Sequence, residues 1–171
     1  MNGWKLQSIR VDSTAAMAQH LGDIITRRPL VLDGAMGSII QQADLSVDGD
    51  YFGRENCVDI LVRSRPELIQ SIHESFLAVG TDAIETNTFG ANPLVLSEFD
   101  DEVSSWARAL CCEAAEVARA ACDVHATADH PRFVLGSMGP GTKLITLGQV
   151  TWDGMLESYT EAARGLLDGG V

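Results

Sequence analysis

Two carboxylates stand where this sequence could use them. Asp33 follows the short apolar run Leu30–Leu32 and precedes Gly34-Ala35-Met36-Gly37, while Glu85 stands near the end of the stretch Asp82-Ala83-Ile84-Glu85-Thr86. An acid at the end of a buried strand is costly unless something pairs with it. Set at the ends of neighbouring strands, the two would face one mouth, where they could bind an ammonium group or act as a base and an acid. The structural alternative is that either one caps a helix or holds a loop. Asn87 and Thr88 follow directly and offer neutral hydrogen bonds, suited equally to lining a pocket and to bracing a loop. A second candidate region, Gly136-Ser137-Met138-Gly139-Pro140-Gly141, follows Phe133-Val134-Leu135. Backbone N–H groups around Gly34, Gly37, Gly136, Gly139 and Gly141 would suit an anion such as an amino acid's carboxylate. Neither glycine stretch is a nucleotide-phosphate motif, because the first lacks GxGxxG and the second lacks GxxxxGK.

Metal-binding residue types occur elsewhere, at Cys122, His125, Asp129 and His130, without the spacing of a zinc site. They fall on a helix-to-strand connection, at the end of the fold opposite Asp33 and Glu85. Cys111 and Cys112 are adjacent on an expected helix and point about 100° apart, which suits packing rather than a shared ion. His20 and His73 also sit on expected helices and read as surface or structural residues. Cys57 completes a set of four cysteines with no CxxC pair and no disulfide framework, as expected of free thiols in the cytoplasm.

The elements that must position these groups alternate. Ser13 or Thr14 starts a helix through Ile25 that Pro29 stops, so residues 1–29 form a helical lead-in. A buried strand at Leu30–Leu32 is expected next, then a long loop from Gln41 to Val62. Ser64 and Glu67 predict a capping box, with Pro66 in the first turn and Leu68, Ile69, Ile72, Phe76 and Val79 as the apolar face. Gly80 ends that helix, and a strand over 82–86 follows. Asp100, Asp101 and Glu102 open one long helix running to Ala121, with their charge favouring its N-terminus. The strand at 133–135 and a helix over 151–167 complete the described cycle, and Val171 reads as the start of another strand. Such alternation predicts an α/β fold with parallel strands. Three strand-helix units leave edges without neighbours, so the chain is expected to be incomplete.

Composition agrees with a globular α/β protein: 46% of the 171 residues are hydrophobic, with 16 Gly and 5 Pro. A formal charge of −12 would repel a phosphate backbone, which argues against a nucleic-acid partner. The first thirty residues hold no unbroken apolar run, so no membrane span or secretory leader is expected there.

Longer segments are recognisable. Val31-Leu32-Asp33-Gly34-Ala35-Met36-Gly37, Arg65-Pro66-Glu67-Leu68-Ile69 with Ile72-His73, Gly80 to Asn92, Phe133 to Lys143, and Gly165 to Val171 resemble the homocysteine S-methyltransferase family. Within it, they resemble the N-terminal homocysteine-binding domain of the cobalamin-dependent methionine synthases. The resemblance implies a TIM (β/α)8 barrel, of which residues 30–171 would hold the first three units and the start of the fourth strand. It implies homocysteine as substrate, with Asp33, Gly34, Glu85, Asn87, Thr88, Ser137 and Gly139 as its binding residues. Asp33 and Glu85 would hold the amino group, with no catalytic proton transfer assigned to them, and the 136–139 turn would lie near the carboxylate. It further implies zinc, held by three cysteines on later strands, and methylcobalamin. Neither group is expected to be held by these residues, and Cys111-Cys112 is not the family's cysteine pair. The partners would be the remaining half of the barrel and the corrinoid and folate domains. Related betaine- or S-methylmethionine-dependent methyltransferases and a non-catalytic amino-acid-binding protein are the alternative readings. The family pattern is departed from at Asp100-Asp101-Glu102 and in a shorter loop from Asp44 to Ile60.

Overall fold

The computed structural model describes residues 21–171, which fall into two compact units divided between Leu30 and Val31. In the first unit, residues 21–25 are helical, and the N–H groups of Arg27 and Arg28 both donate to the Ile24 carbonyl as the helix ends. The start of the expected lead-in helix, Ser13 to His20, lies outside the described residues.

The second unit is built on parallel strands β1 (Ala83–Glu85) and β2 (Phe133–Leu135), paired in the register Ala83–Phe133, Ile84–Val134 and Glu85–Leu135. The strand expected at Leu30–Leu32 is reduced to one parallel bridge, Leu32 with Ala83. Val31 and Leu32 remain 54% and 44% exposed, so the apolar run there lacks the burial that would extend it into a full strand. Even so, Leu32, β1 and β2 lie side by side in chain order and point the same way, which brings their C-terminal ends together.

Helices fill the connections. After the bridge comes α1 (Met36–Ile40), an element not expected from the sequence. Its entry is turned by Ala35 at φ 53°, a left-handed conformation that the flanking Gly34 and Gly37 do not adopt. The expected long loop at 41–62 ends in a 3-10 turn (Val58–Ile60) and α2 (Leu61–Ser64). It is tightly docked: Arg54 bonds Asp100 at 2.6 Å and Glu102 at 2.8 Å, and its guanidinium lies 5.1 Å from the centre of the Trp106 ring.

The next helix, α3 (Pro66–Ala78), begins at the expected proline, but the predicted capping box does not form. Ser64 closes α2 instead, Arg65 takes the cap position, and Glu67 accepts from Arg65 at 2.6 Å. Ile69, Ile72 and Leu77 are buried as the apolar stripe requires, while Val79 is exposed and Gly80, at φ 103°, ends the helix. The one helix expected from Asp100 to Ala121 is two, α5 (Asp101–Ser105) and α6 (Ala107–His125), interrupted at Trp106; a short α4 (Pro93–Leu96) precedes them. Asp100 caps α5, accepting from the Val103 N–H at 2.8 Å, and Arg54 and Arg63 both stack on the Trp106 ring at the break. Finally α7 (Trp152–Asp168) is capped by Thr151, which accepts from Gly154.

Leu77 of α3 and Ala118, Ala121 and Cys122 of α6 pack on Ile84 and Val134, the central residues of the two strands. α7 packs on α6 through Ala162, Leu166, Cys111 and Ala115. Among the described residues, no helix is long and apolar enough to cross a membrane.

At the strand N-termini, two of the residues weighed as a metal cluster, Cys122 and His130, make other bonds. Asp82 accepts from the Val31 N–H at 2.9 Å and meets His130 Nε2 at 3.0 Å, while Arg132 donates to the Thr81 carbonyl. Cys122 donates to the Phe133 carbonyl at 3.5 Å.

His73 is fully buried in α3, and neither ring nitrogen has a hydrogen-bond partner among the described residues. Burial pushes its pKa down to about 4. With an unfolded value near 6.5, the unfolded chain takes up a proton first, so stability falls as pH drops from about 6.5 to 4, by at most ~3 kcal/mol. Replacing His73 with Leu is expected to flatten this part of the pH profile, read as melting temperature between pH 7 and 4.

Candidate active site

Asp33, Glu85 and Ser137 end up together. Parallel registry sets Asp33 beside β1, where its N–H donates to the Ala83 carbonyl at 3.1 Å. Its Oδ1 then accepts from the Glu85 N–H at 3.0 Å. Glu85 Oε2 in turn accepts from the Ser137 hydroxyl at 3.2 Å. Three successive strand ends thus contribute one side chain each to a single polar mouth.

Its charge is unbalanced. Neither Asp33 nor Glu85 has a cationic partner among the described residues. Glu85 is exposed to solvent. Asp33 is half-buried, and desolvation, with a smaller push from the Glu85 charge, raises its pKa to about 6 against the hydrogen bond from Glu85 N–H. The mouth is therefore short of positive charge and suited to an ammonium group. A cavity of 450 Å³ lined by Val62, Arg63, Gln70, Glu113 and Val117 lies away from it, between α2, α3 and α6.

The other residues named from the sequence are placed differently. Asn87 and Thr88 are buried and already engaged: the Asn87 amide donates to the Val58 carbonyl at 2.8 Å, and the Thr88 hydroxyl donates to the Ser137 carbonyl at 2.7 Å. Since the Thr88 proton is committed there, Thr86 must donate in the 2.6 Å contact between the two hydroxyls. The Ser137 N–H completes a ring by donating to Thr86 Oγ1 at 3.0 Å. Both backbone groups of Ser137 are thus consumed, which leaves its hydroxyl to address Glu85. These threonines brace the loop rather than present groups to solvent.

Gly139 is also internal. Its N–H donates to the Phe89 carbonyl at 3.1 Å, its carbonyl accepts from Tyr159 at 2.7 Å, and an added Cβ would lie 2.5 Å from the Phe89 oxygen. Close approach of two backbones is what demands glycine here. With the N–H groups of Ser137 and Gly139 both spent, the 136–139 turn has fewer donors for a carboxylate than its glycines suggested. Gly34 is exposed, and its N–H has no acceptor among the described residues.

Sequence reasoning missed Asp59, which is 6% exposed and accepts from the Gly90 N–H at 3.1 Å. It lies in a stretch without periodicity, so only a lone acid among apolar neighbours, Val58-Asp59-Ile60-Leu61-Val62, marked it.

The cysteines do not fit a zinc site. Cys57, Cys111 and Cys122 are buried, and burial raises their thiols to about 12, 12 and 11. Such groups stay protonated near neutral pH, whereas zinc binds thiolate. Cys111 moreover donates to the Ala91 carbonyl at 3.1 Å. Among the described residues no three His, Cys, Asp or Glu side chains converge as a metal site would require.

Comparison with known proteins identifies the family. The family profile described as homocysteine S-methyltransferase matches residues 30–171. Methionine synthase of Mycobacterium tuberculosis is 45% identical over 149 residues, which is 87% of this chain and 12% of that protein. Methionine synthase of Mycobacterium leprae is 43% identical over the same length, with the same coverage. The chain thus spans about an eighth of the length of these curated relatives. Among solved structures, the metallated form of the homocysteine methyltransferase MmuM from Escherichia coli has a TM-score of 0.65 at 20% identity. That likeness covers 88% of this chain and 54% of MmuM, and at such identity it concerns the fold alone. With a family profile spanning most of its length and relatives above 40% identity, the chain belongs to the homocysteine S-methyltransferase family, a family of methyltransferase enzymes.

Proposed function

We propose that residues 30–171 are the homocysteine-binding part of a methionine synthase, an enzyme that transfers a methyl group to the sulfur of homocysteine to form methionine. The fold in this reading is a TIM barrel, with the Leu32 bridge, β1 and β2 as its first three strands and Val171 at the start of the fourth. Residues 1–29 are a helical lead-in. The observation that carries the reading is the pair of carboxylates, Asp33 and Glu85, joined at adjacent strand ends without a cation. The 45% identity to a methionine synthase supports this enzyme over other methyltransferases of the family.

Asp33 and Glu85 hold the substrate's ammonium group, and the Ser137 hydroxyl fixes the Glu85 carboxylate that does so. The Gly34 N–H serves the substrate carboxylate. Gly139, Asn87 and Thr88 act through the backbone they brace. The work of this site is alignment: an amino acid held at both ends projects its sulfur in one direction, which is where a methyl donor must meet it. Methylcobalamin is the donor in this reading; residues 21–171 do not fit zinc, which in the whole enzyme would favour the thiolate form of the substrate. The partners are the rest of the barrel and corrinoid and folate domains, and the compartment is the cytoplasm.

Titration calorimetry with L-homocysteine tests the reading. The unmodified chain is expected to bind, and Glu85→Gln to weaken binding by on the order of tenfold or more, since one charge partner of the ammonium is lost. Absence of heat for the unmodified chain, shown folded by circular dichroism, would overturn it.

A further inference from the structure

One buried acid has no part in the reading above. Asp59 is 6% exposed, lies on the 3-10 turn Val58–Ile60, and has no cationic partner among the described residues. Its Oδ1 accepts from the Gly90 N–H at 3.1 Å, and its Oδ2 lies 2.7 Å from where a Cβ on Gly90 would stand. The carboxylate is therefore laid flat against the Gly90 backbone, and only glycine leaves room for it. The preceding residue repeats the grip, because the Val58 carbonyl accepts from the Asn87 amide at 2.8 Å. Two adjacent residues of one turn thus hold both ends of the segment 87–90, which begins two residues after Glu85.

The opposite side of the same segment is held by the 137–139 turn, through Thr88 to the Ser137 carbonyl and the Gly139 N–H to the Phe89 carbonyl. Cys111 secures the next residue, Ala91, from α6. Glu85 is itself exposed, and among the described residues its carboxylate has a single hydrogen bond, from Ser137. Its backbone is fixed in β1 by pairing with Leu135 and by the bond to Asp33, while its carboxylate is met by Ser137, whose own backbone is tied to the 87–90 loop through Thr88, and that loop is clamped between Val58-Asp59 and Ser137-Gly139.

We infer that Asp59 is a positioning residue for homocysteine: its side-chain acceptor fixes the 87–90 loop, and through it Ser137, whose hydroxyl orients the Glu85 carboxylate. This rests on the homocysteine reading of the mouth. The acceptor, not the charge, performs the task, since an amide oxygen of the same shape also accepts from a backbone N–H. Desolvation that pushes the Asp59 pKa up to about 6 marks the charge as a burden on the fold. Cys57 and Cys111 are the titratable groups that sense its field, and neither supplies a cation.

The test compares Asp59→Ala, Asp59→Asn and Leu77→Ala in the full chain, using L-homocysteine calorimetry at a temperature where circular dichroism shows each variant folded. Leu77 lies in the core between α3 and the sheet and serves as a control for general destabilisation. Asp59→Ala is expected to weaken homocysteine on the order of tenfold, as a misplacement of the binding group would. Asp59→Asn restores binding to within about threefold of the unmodified chain, and Leu77→Ala leaves it in the same range despite a lower melting temperature. Unchanged affinity in Asp59→Ala, or an Asp59→Asn variant as weak as Asp59→Ala, overturns the inference and leaves the homocysteine reading standing. No binding by the unmodified chain removes both. Should Asp59→Ala fail to fold, hydrogen exchange of the Gly90 amide in the unmodified chain decides: homocysteine slows it if loop and site are coupled, and no change overturns the inference.

Discussion

Asp33→Asn is expected to cost the chain its homocysteine affinity, by about a hundredfold or more, and to make the fold more stable. The loss follows from removing a desolvated charge partner of the ammonium, a change that costs about 2–5 kcal/mol where such pairs have been broken. The gain follows from linkage. Asp33 titrates near 6 in the folded chain against 3.8 as a free side chain, because burial and the neighbouring Glu85 charge disfavour its ionised form. A carboxyl whose pKa rises on folding contributes stability that is fully present below its unfolded value and is lost as pH rises through about 6. At pH 7 the unmodified chain carries the cost of the ionised group, which the amide escapes. Water reaches the half-buried group, so the gain is about 1–2 kcal/mol rather than the ~3 that the full shift would give. Urea unfolding at pH 7 and pH 3.5 checks this: a stabilised variant at neutral pH whose advantage vanishes in acid is the expected result. Homocysteine binding by the unmodified chain should weaken as pH falls below about 6, since only the ionised carboxylate holds the ammonium. Equal affinity in Asp33→Asn would sink the site.

Gly165→Ala should be the most destabilising small substitution in α7. In an exposed helix interior, alanine in place of glycine gains about 1 kcal/mol. Here an added Cβ would stand 2.3 Å from the Arg108 carbonyl oxygen and 2.7 Å from the Cys111 Cβ, both on α6. A backbone oxygen cannot swing aside as a side chain can, so the two helices must separate, opening the packing of Ala162, Leu166, Cys111 and Ala115. Overpacking of this kind costs about 1–3 kcal/mol and outweighs the gain in propensity. The control is Gly154→Ala in the first turn of the same helix, where the nearest contacts are Thr151 Oγ1 at 3.2 Å and Val150 Cγ2 at 3.4 Å. Its melting temperature should stay within a few degrees of the unmodified chain, whereas Gly165→Ala should fall well below it. Gly165→Ala melting at or above the unmodified chain would show that α6 and α7 are not in this contact.

Much of the fold was legible because local rules and tertiary packing agreed. β2 falls at the expected 133–135, α3 begins at Pro66, and α7 runs one residue from each expected end. Where they disagreed, a partner distant in sequence won. The predicted Ser64-Glu67 capping box gave way to Arg65, which bonds both Glu67 and Asp50. The long helix broke at Trp106, where Arg54 of the preceding loop and Arg63 of α2 converge. That loop offered no periodicity to read, although it holds the acid that grips Gly90.

For the site, residue type and spacing placed two acids and a glycine-rich turn at the ends of successive parallel strands, and the family resemblance added Ser137. Which side chains face outward was decided only by tertiary structure. Asn87, Thr88 and Gly139 carry the same chemistry in the sequence as exposed ligands would, yet each is committed to a backbone atom of a residue nearby in space and 29 to 50 positions away in the chain. Hydrogen-bonding capacity is a property of the residue. Whether that capacity is already spent depends on neighbours that only folding brings within 3 Å.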